Sequence, residues 1–471
     1  MLRTPAKRCA LAAFSAVSLI AIVAVNGAAA EDAPLTPPEI TAQAKDILKT
    51  SIGYRTVEGY GQTHAYAEYL AGVLNKGGFA AADIDIEDMD GTSTLTAVYH
   101  GEGEGKPILL SGHMDVVEAK PEDWERDPFT AVEENGYIYG RGATDMKFGV
   151  AMMVTTLIRL KHEGFKPKHD IILVLSGDEE THMATTAKLA EKYPDAELVL
   201  NADGGGGALD EDGEAVAYYV QGAEKTYADF KVEFTNPGGH SSMPRKENAI
   251  YDLAKAADKI AAYEFPVQWS DITIGFFKET GPRTPGAVGE AMTRFAKNPK
   301  DKAAIKTLRA QPEYVGQLGT TCVATMLEGG HALNALPQRA DLYVNCRIFP
   351  GVSPDSVQET LTKVIDNPDA KISLVDKVHS SDASPLREDV MAAARKAVER
   401  RYPGVPIVPQ MSAGASDSLF FRSHGIDSYG VSGLFMKASD EFSHGLNERS
   451  PVASIDGALD HWHVLLTELA G

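Results

Sequence analysis

Between residues 36 and 203, short apolar runs alternate with stretches whose apolar residues recur at helical spacing, and this pattern admits few architectures. The runs are Leu95–Tyr99, Ile108–Leu110, Ile171–Leu175 and Leu198–Leu200, each too short for a helix and suited to a buried strand. Helical periodicity occupies the intervals: Ile40, Ala44, Ile47 and Leu48, then Tyr66, Tyr69, Leu70, Val73 and Leu74, then residues 147–162. Strands separated by helices pair in parallel, so the spacing predicts an α/β fold with a central mixed, largely parallel sheet. Ligands of such sheets gather at the carboxyl ends of the strands. His113, Glu179, Glu180 and Asp203 each fall just beyond one.

After Asp203 the texture changes. Alternating strands near 227–234, 322–327 and 341–348, with a helix over 249–263, predict a separate α+β unit with an antiparallel sheet. Residues 268–318 form an irregular, partly helical insertion that the sequence does not place. Helical periodicity resumes over 386–401, and residues 442–447 bring another histidine back to the first unit. The second unit is therefore expected to lie within the first, at 222–383, with 31–221 and 384–471 forming the outer unit.

Arg3, Lys7 and Arg8 precede an apolar run from Ala10 to Val25 and then Ala28-Ala29-Ala30, which predicts a signal peptide over 1–30 and no membrane span after its cleavage. Its removal would take the net charge from −21 to −24, because those three cations leave and no acid does. Such an acidic chain is a poor partner for nucleic acid. The expected compartment is periplasmic or extracellular. Cys322 and Cys346 flank a turn near Asn334, a spacing compatible with a cross-strand disulfide and equally with two buried thiols.

Glu179 and Glu180 are neighbours at the end of an extended run, so their side chains project oppositely and serve separate tasks. Asp115, two residues past His113, lies on the same side and can hold one imidazole nitrogen while the other faces a metal. Asp145 opens a helix after a Gly-rich turn and has two oxygens with which to bridge two cations. Glu180, Asp203 and His444 complete a donor set of imidazole and carboxylate without thiolate, which suits two divalent ions: zinc, or manganese or cobalt. Glu179 is left as general base toward water.

The segments SGHMDVV, YGRGATDMKFG, SGDEE, NADGGG, GGHSSMP, NALPQRADLYVNCRIFPG, GASDS and SHGLNER run in order from 111 to 449. Together they resemble the co-catalytic zinc metallopeptidases that include aminoacylase, carboxypeptidase S, succinyl-diaminopimelate desuccinylase and glutamate carboxypeptidase. The motifs are most similar to the carboxypeptidase S branch. The resemblance implies a zinc-exopeptidase-like catalytic domain carrying an inserted ferredoxin-like lid that also forms a homodimer. It puts His113 and Asp203 on one metal, Glu180 and His444 on the other, Asp145 between them, Asp115 behind His113, and Glu179 as base. It also implies that His240 reaches a partner subunit's site to stabilise an oxyanion, that Arg347 holds a substrate carboxylate, and that Asn334, Gly414 and Ser416 touch substrate. Two departures stand out: Thr181-His182-Met183-Ala184, where the family commonly has glycine, and Asp203, where several relatives have glutamate.

The resulting expectation is an exported metal-dependent hydrolase that cleaves an amide beside a free carboxyl terminus, as a carboxypeptidase or dipeptidase on small peptides. The alternative is an N-acyl amino acid amidohydrolase. A non-catalytic metal-containing solute-binding protein has no need of an acid like Glu179 beside a metal ligand.

Overall fold

The structure, a computed structural model, describes residues 34–103 and 105–471; the expected signal peptide lies outside them. The predicted alternation is realised as a ten-stranded mixed sheet between two helical layers. Its core pairs are parallel: Gly105–His113 lies between His169–Ser176 and Leu198–Asn201, and Ser428–Gly430 joins on the far side of the latter. The hairpin Ile84–Met89 and Thr92–Tyr99 adds antiparallel strands at one edge.

Side chains alternate across this sheet as the strand period requires. Ile171, Leu173 and Leu175 face one layer, which holds the helices Pro38–Ile52, Thr63–Lys76, Lys147–His162 and Ser454–Ala470. Ile172 and Val174 face the other, with the helices Ala184–Lys192 and Ser418–Ser423. Both faces of the strands are buried, which is why they read as unbroken apolar runs rather than alternating ones.

The chain crosses to a second sheet at Lys225, between strands Ala215–Glu224 and Thr226–Thr235. This sheet has four antiparallel strands, in the order Thr321–Gly329, Arg339–Ile348, Thr226–Thr235, Lys371–Leu374. With helices Ala249–Ala262 and Pro354–Ile365 packed on one face, it has the βαββαβ arrangement that the resemblance implied. The opposite face is polar. Cys322 and Cys346 are directly paired on adjacent strands and form a disulfide.

Residues 268–318 become three helices, Asp271–Thr280, Gly286–Lys297 and Lys302–Arg309, with a short fourth turn. Phe277, Met292, Phe295 and Leu308 form a small core of their own. Ile272 meets Ala223, Phe349 and Met411, so the insertion docks where the two sheets join.

Candidate metal centre and active site

Parallel pairing brings the chemistry to one level. His113 and Ser176 are register partners at the ends of neighbouring strands, so the loops bearing Asp115 and Glu179-Glu180 start side by side. The turn after Ser176 needs glycine, since a Cβ on Gly177 would sit 2.3 Å from the Ser93 carbonyl oxygen. Asn201 ends the next strand and its Oδ1 accepts from the Asp203 N–H (2.8 Å), aiming Asp203 into the same space.

Asp145 lies at the centre. One carboxylate oxygen is 3.1 Å from His113 Nε2 and the other 3.2 Å from His444 Nε2, so each faces a different imidazole. His444 Nε2 is also 3.0 Å from Glu180, and His113 Nε2 is 4.0 Å from Asp203. Donor atoms of His113, Asp145 and Glu180 lie within 4.8 Å of one another, as do those of His113, Glu179 and Asp203. The structure thus brings all five expected ligands and the expected base together.

Charge tests whether metal fits. Among the described residues, none of Asp145, Glu179, Glu180 or Asp203 pairs with lysine or arginine; their only cationic partners are the two imidazoles. Burial pushes the Glu179 carboxyl well above its ordinary value, with His113 opposing and Asp203 adding to the rise. Burial likewise raises Asp203, and the neighbouring Asp145 adds to it. For Asp145 burial acts upward too, but hydrogen bonds to His113 and His444 outweigh it and hold the carboxyl low. Hydrogen bonds to Asp145 and Glu180 raise His444 to about 10. Four carboxylates facing two imidazoles are short of positive charge, and an imidazole–carboxylate set without thiolate is one that divalent zinc, manganese or cobalt can neutralise.

Asp115 has a broader part than its spacing suggested. His113 Nδ1 lies 3.0 Å from the Asp115 backbone carbonyl and 3.5 Å from its carboxylate. The carboxylate accepts from the backbone N–H groups of Glu179 (3.1 Å) and Glu180 (2.9 Å). It therefore fixes the two acids as well as the histidine.

Glu448 and Arg141 have parts that the sequence does not signal. Glu448 is fully buried and accepts from the N–H groups of Gly142 (3.0 Å), Thr144 (2.7 Å) and Asp145 (2.9 Å), and from Arg141 Nη1 (2.7 Å). This one carboxylate shapes the turn that presents Asp145. Asp178 does similar work for the acid loop, accepting from the N–H groups of Ala184 (2.9 Å) and Thr185 (3.0 Å) at the next helix. Met183, within the segment where the resemblance leads to an expectation of glycine, has φ 52° and ψ 22°, a left-handed conformation that glycine adopts without strain.

The remaining expected residues lie elsewhere. Arg347 is directly opposite Tyr227 on the polar face of the small sheet, 4.6 Å over its ring, and Nη1 donates to the Ala413 carbonyl (2.5 Å). Gly414 follows in the same exposed loop, whereas Ser416 is 2% exposed and gives its hydroxyl to Glu224. His240 lies on a two-stranded ribbon paired with Ala335, and Asn334 adjoins it, the Ser241 N–H donating to Asn334 O (2.9 Å). His240 is exposed, and its side chain bonds Ser242 rather than any member of the metal cluster.

The model of peptidase family M20/M25/M40 matches residues 109–468. The chain belongs to this family. It is a hydrolase of the metallopeptidase and amidohydrolase kind. Similar proteins include an N-fatty-acyl-amino acid synthase/hydrolase, PM20D1, of Xenopus tropicalis, 27% identical over 403 residues that cover 83% of this chain and 78% of the relative. A probable carboxypeptidase S-like protein of Dictyostelium discoideum is 25% identical over 77% of this chain and 71% of its own. A probable succinyl-diaminopimelate desuccinylase of Staphylococcus aureus is 27% identical over 74% and 80%. Among solved structures, the M20 family metallo-carboxypeptidase Sso-CP2 of Sulfolobus solfataricus shares the fold with a TM-score of 0.64 at 21% identity, covering 90% of this chain and 98% of that one.

Proposed function

We propose that the protein is an exported hydrolase that uses two divalent cations, zinc foremost, to cleave the amide bond next to a free carboxyl terminus, acting on small peptides as a carboxypeptidase or dipeptidase. The observation that carries this reading is Asp145 between two imidazoles, with Glu179 beside them and, among the described residues, its side chain in no hydrogen bond or ion pair. Likeness to an N-fatty-acyl-amino acid hydrolase supports N-acyl amino acids as a second substrate class.

When bound by His113, Asp145, Glu180, Asp203 and His444, the cations supply the charge that polarises a carbonyl and acidifies water. Glu179 takes the proton of the attacking water and returns it to the leaving amine, and burial raises its carboxyl above the ordinary value, which favours its holding that proton between the two steps. Asp115 keeps the backbone of that acid still through two hydrogen bonds. Arg347 offers a planar fork to the substrate carboxylate, with Asn334 and the Gly414–Ser416 backbone completing the contact.

A second copy completes the site in this reading. Val323, Met326 and Leu327 are exposed on the outermost strand of the small sheet, Leu327 at 71%, and an apolar open edge is a template for strand pairing. Pairing of two such edges makes a homodimer, in which His240 serves its neighbour's oxyanion. The Cys322–Cys346 disulfide supports an oxidising, periplasmic or extracellular location. Among the described residues no helix is long and apolar enough to cross a membrane.

The test is a panel of dipeptides, their C-terminal amides and N-acyl amino acids offered to the purified protein with and without chelator. Hydrolysis of the free acids, lost on chelation and restored by zinc, is expected. Equal hydrolysis by metal-stripped protein overturns the reading.

A further inference from the structure

Asp417 occupies the position before the helix Ser418–Ser423 where a capping side chain belongs, yet it makes no capping bond. Its Oδ2 accepts instead from the Ser176 hydroxyl (2.8 Å), and its Oδ1 from the hydroxyl of Thr186. The residue is 1% exposed, and among the described residues it forms no ion pair. A buried carboxylate whose side chain meets only two neutral hydroxyls is destabilising, and an uncharged residue of the same size would fold at least as well. Burial accordingly pushes its pKa up to about 6, with His113 and the two hydroxyls opposing. Such a residue needs a reason other than stability.

Its partners supply one. Ser176 is the last residue before the acid loop, and Thr186 lies in the first turn of the helix that follows it. Asp417 therefore grips both ends of the segment that carries Glu179 and Glu180. On its own side, the chain just before it is tied to the crossing between the sheets: Ser416 bonds Glu224, and Ser412 O accepts from the Lys225 N–H (2.9 Å). Ala413 O, in the same stretch, accepts from Arg347. One short segment thus touches the acid loop, the crossing and the substrate-carboxylate anchor.

We propose that Asp417 is a positioning residue that sets Glu179 relative to Arg347, by clamping the acid loop to the segment on which Arg347 rests. Among the described residues its side-chain oxygens bond only Ser176 and Thr186, and it acts through them. The inference rests on the roles proposed above for Glu179 and Arg347. Displacement of a base by about 1 Å costs on the order of 100-fold in rate.

The test uses the full chain loaded with zinc, as Asp417→Ala and Asp417→Asn. For Ala, kcat on a free-acid dipeptide should fall about 100-fold with KM changed less than about threefold; Asn, which keeps an acceptor oxygen, should lose only about 10-fold. Bound zinc should be unchanged, and Asn should melt no lower than the parent. Amide hydrogen exchange of residues 177–183 should quicken in Ala. Unchanged kcat and exchange in both variants overturn the proposal, and so does a loss of kcat in Asn that tracks a loss of zinc or of melting temperature. If the parent protein hydrolyses no amide, the proposed function has failed, while exchange of 177–183 still reports whether the clamp exists.

Discussion

Asp145 and Arg347 belong to regions built on different rules. Asp145 has its backbone N–H held by buried Glu448 and each oxygen held by an imidazole, at the ends of strands buried on both faces. Arg347 is half-buried on the polar face of a separate sheet, with one carbonyl and one ring as partners. Groups that make and break bonds must keep sub-ångström geometry and sit on the rigid frame; a group that recognises a carboxylate can sit on a part that moves.

If this division holds, damage to the first region should be far more severe. Asp145→Ala should lose bound metal and, with it, essentially all hydrolysis. Glu179→Gln should keep two metals per chain and lose about 1,000-fold or more in kcat, since proton transfer is removed while the ligands stay. Metal analysis alongside kinetics separates the two, and near-normal turnover in Glu179→Gln would remove it as base.

Arg347→Ala should raise KM for free-acid substrates by roughly 10- to 100-fold and leave their amides unaffected, consistent with loss of one charge-assisted pair. Equal effects on acid and amide would move the carboxylate anchor elsewhere and erase the contrast.

Acidity sharpens the comparison further. In metal-free protein the His444 pKa of about 10 means that its pairing with Asp145 and Glu180 stabilises the fold fully below the ordinary imidazole value of 6.5 and is lost as pH rises through about 10. Metal must displace that proton, so apparent affinity should rise up to about tenfold per pH unit from roughly pH 7 to 9, with protons released on uptake. Titration calorimetry in buffers of different ionisation enthalpy reads the release; none would take His444 out of the ligand set.

The smallest effect on stability should come from the open edge. Leu327→Glu should shift a dimer toward monomer in sedimentation while leaving the melting temperature within about 2 °C, because that side chain is solvent-exposed in the single chain.

The sequence made the first region more legible than the second. Apolar runs such as Ile171–Leu175 announce buried strands, and the strand ends then place His113, Glu179, Glu180 and Asp203 on one side of a sheet. Arg141 and Glu448 stayed silent because they are 307 positions apart, and no local spacing pairs them. Residues 268–318 resisted for another reason: Phe277, Met292, Phe295 and Leu308 bury against each other, so their pattern names no neighbouring sheet. Asp417 carries no local signal of its part, since what it holds is Ser176, far away in the chain.

The covalent link between Cys322 and Cys346 joins the outermost strand of the small sheet to the strand that, one residue later, carries Arg347. Those two strands cannot slide past each other. A displacement at the rim therefore has a covalent path, beside the hydrogen bonds that already pair the two strands, to the strand that bears Arg347.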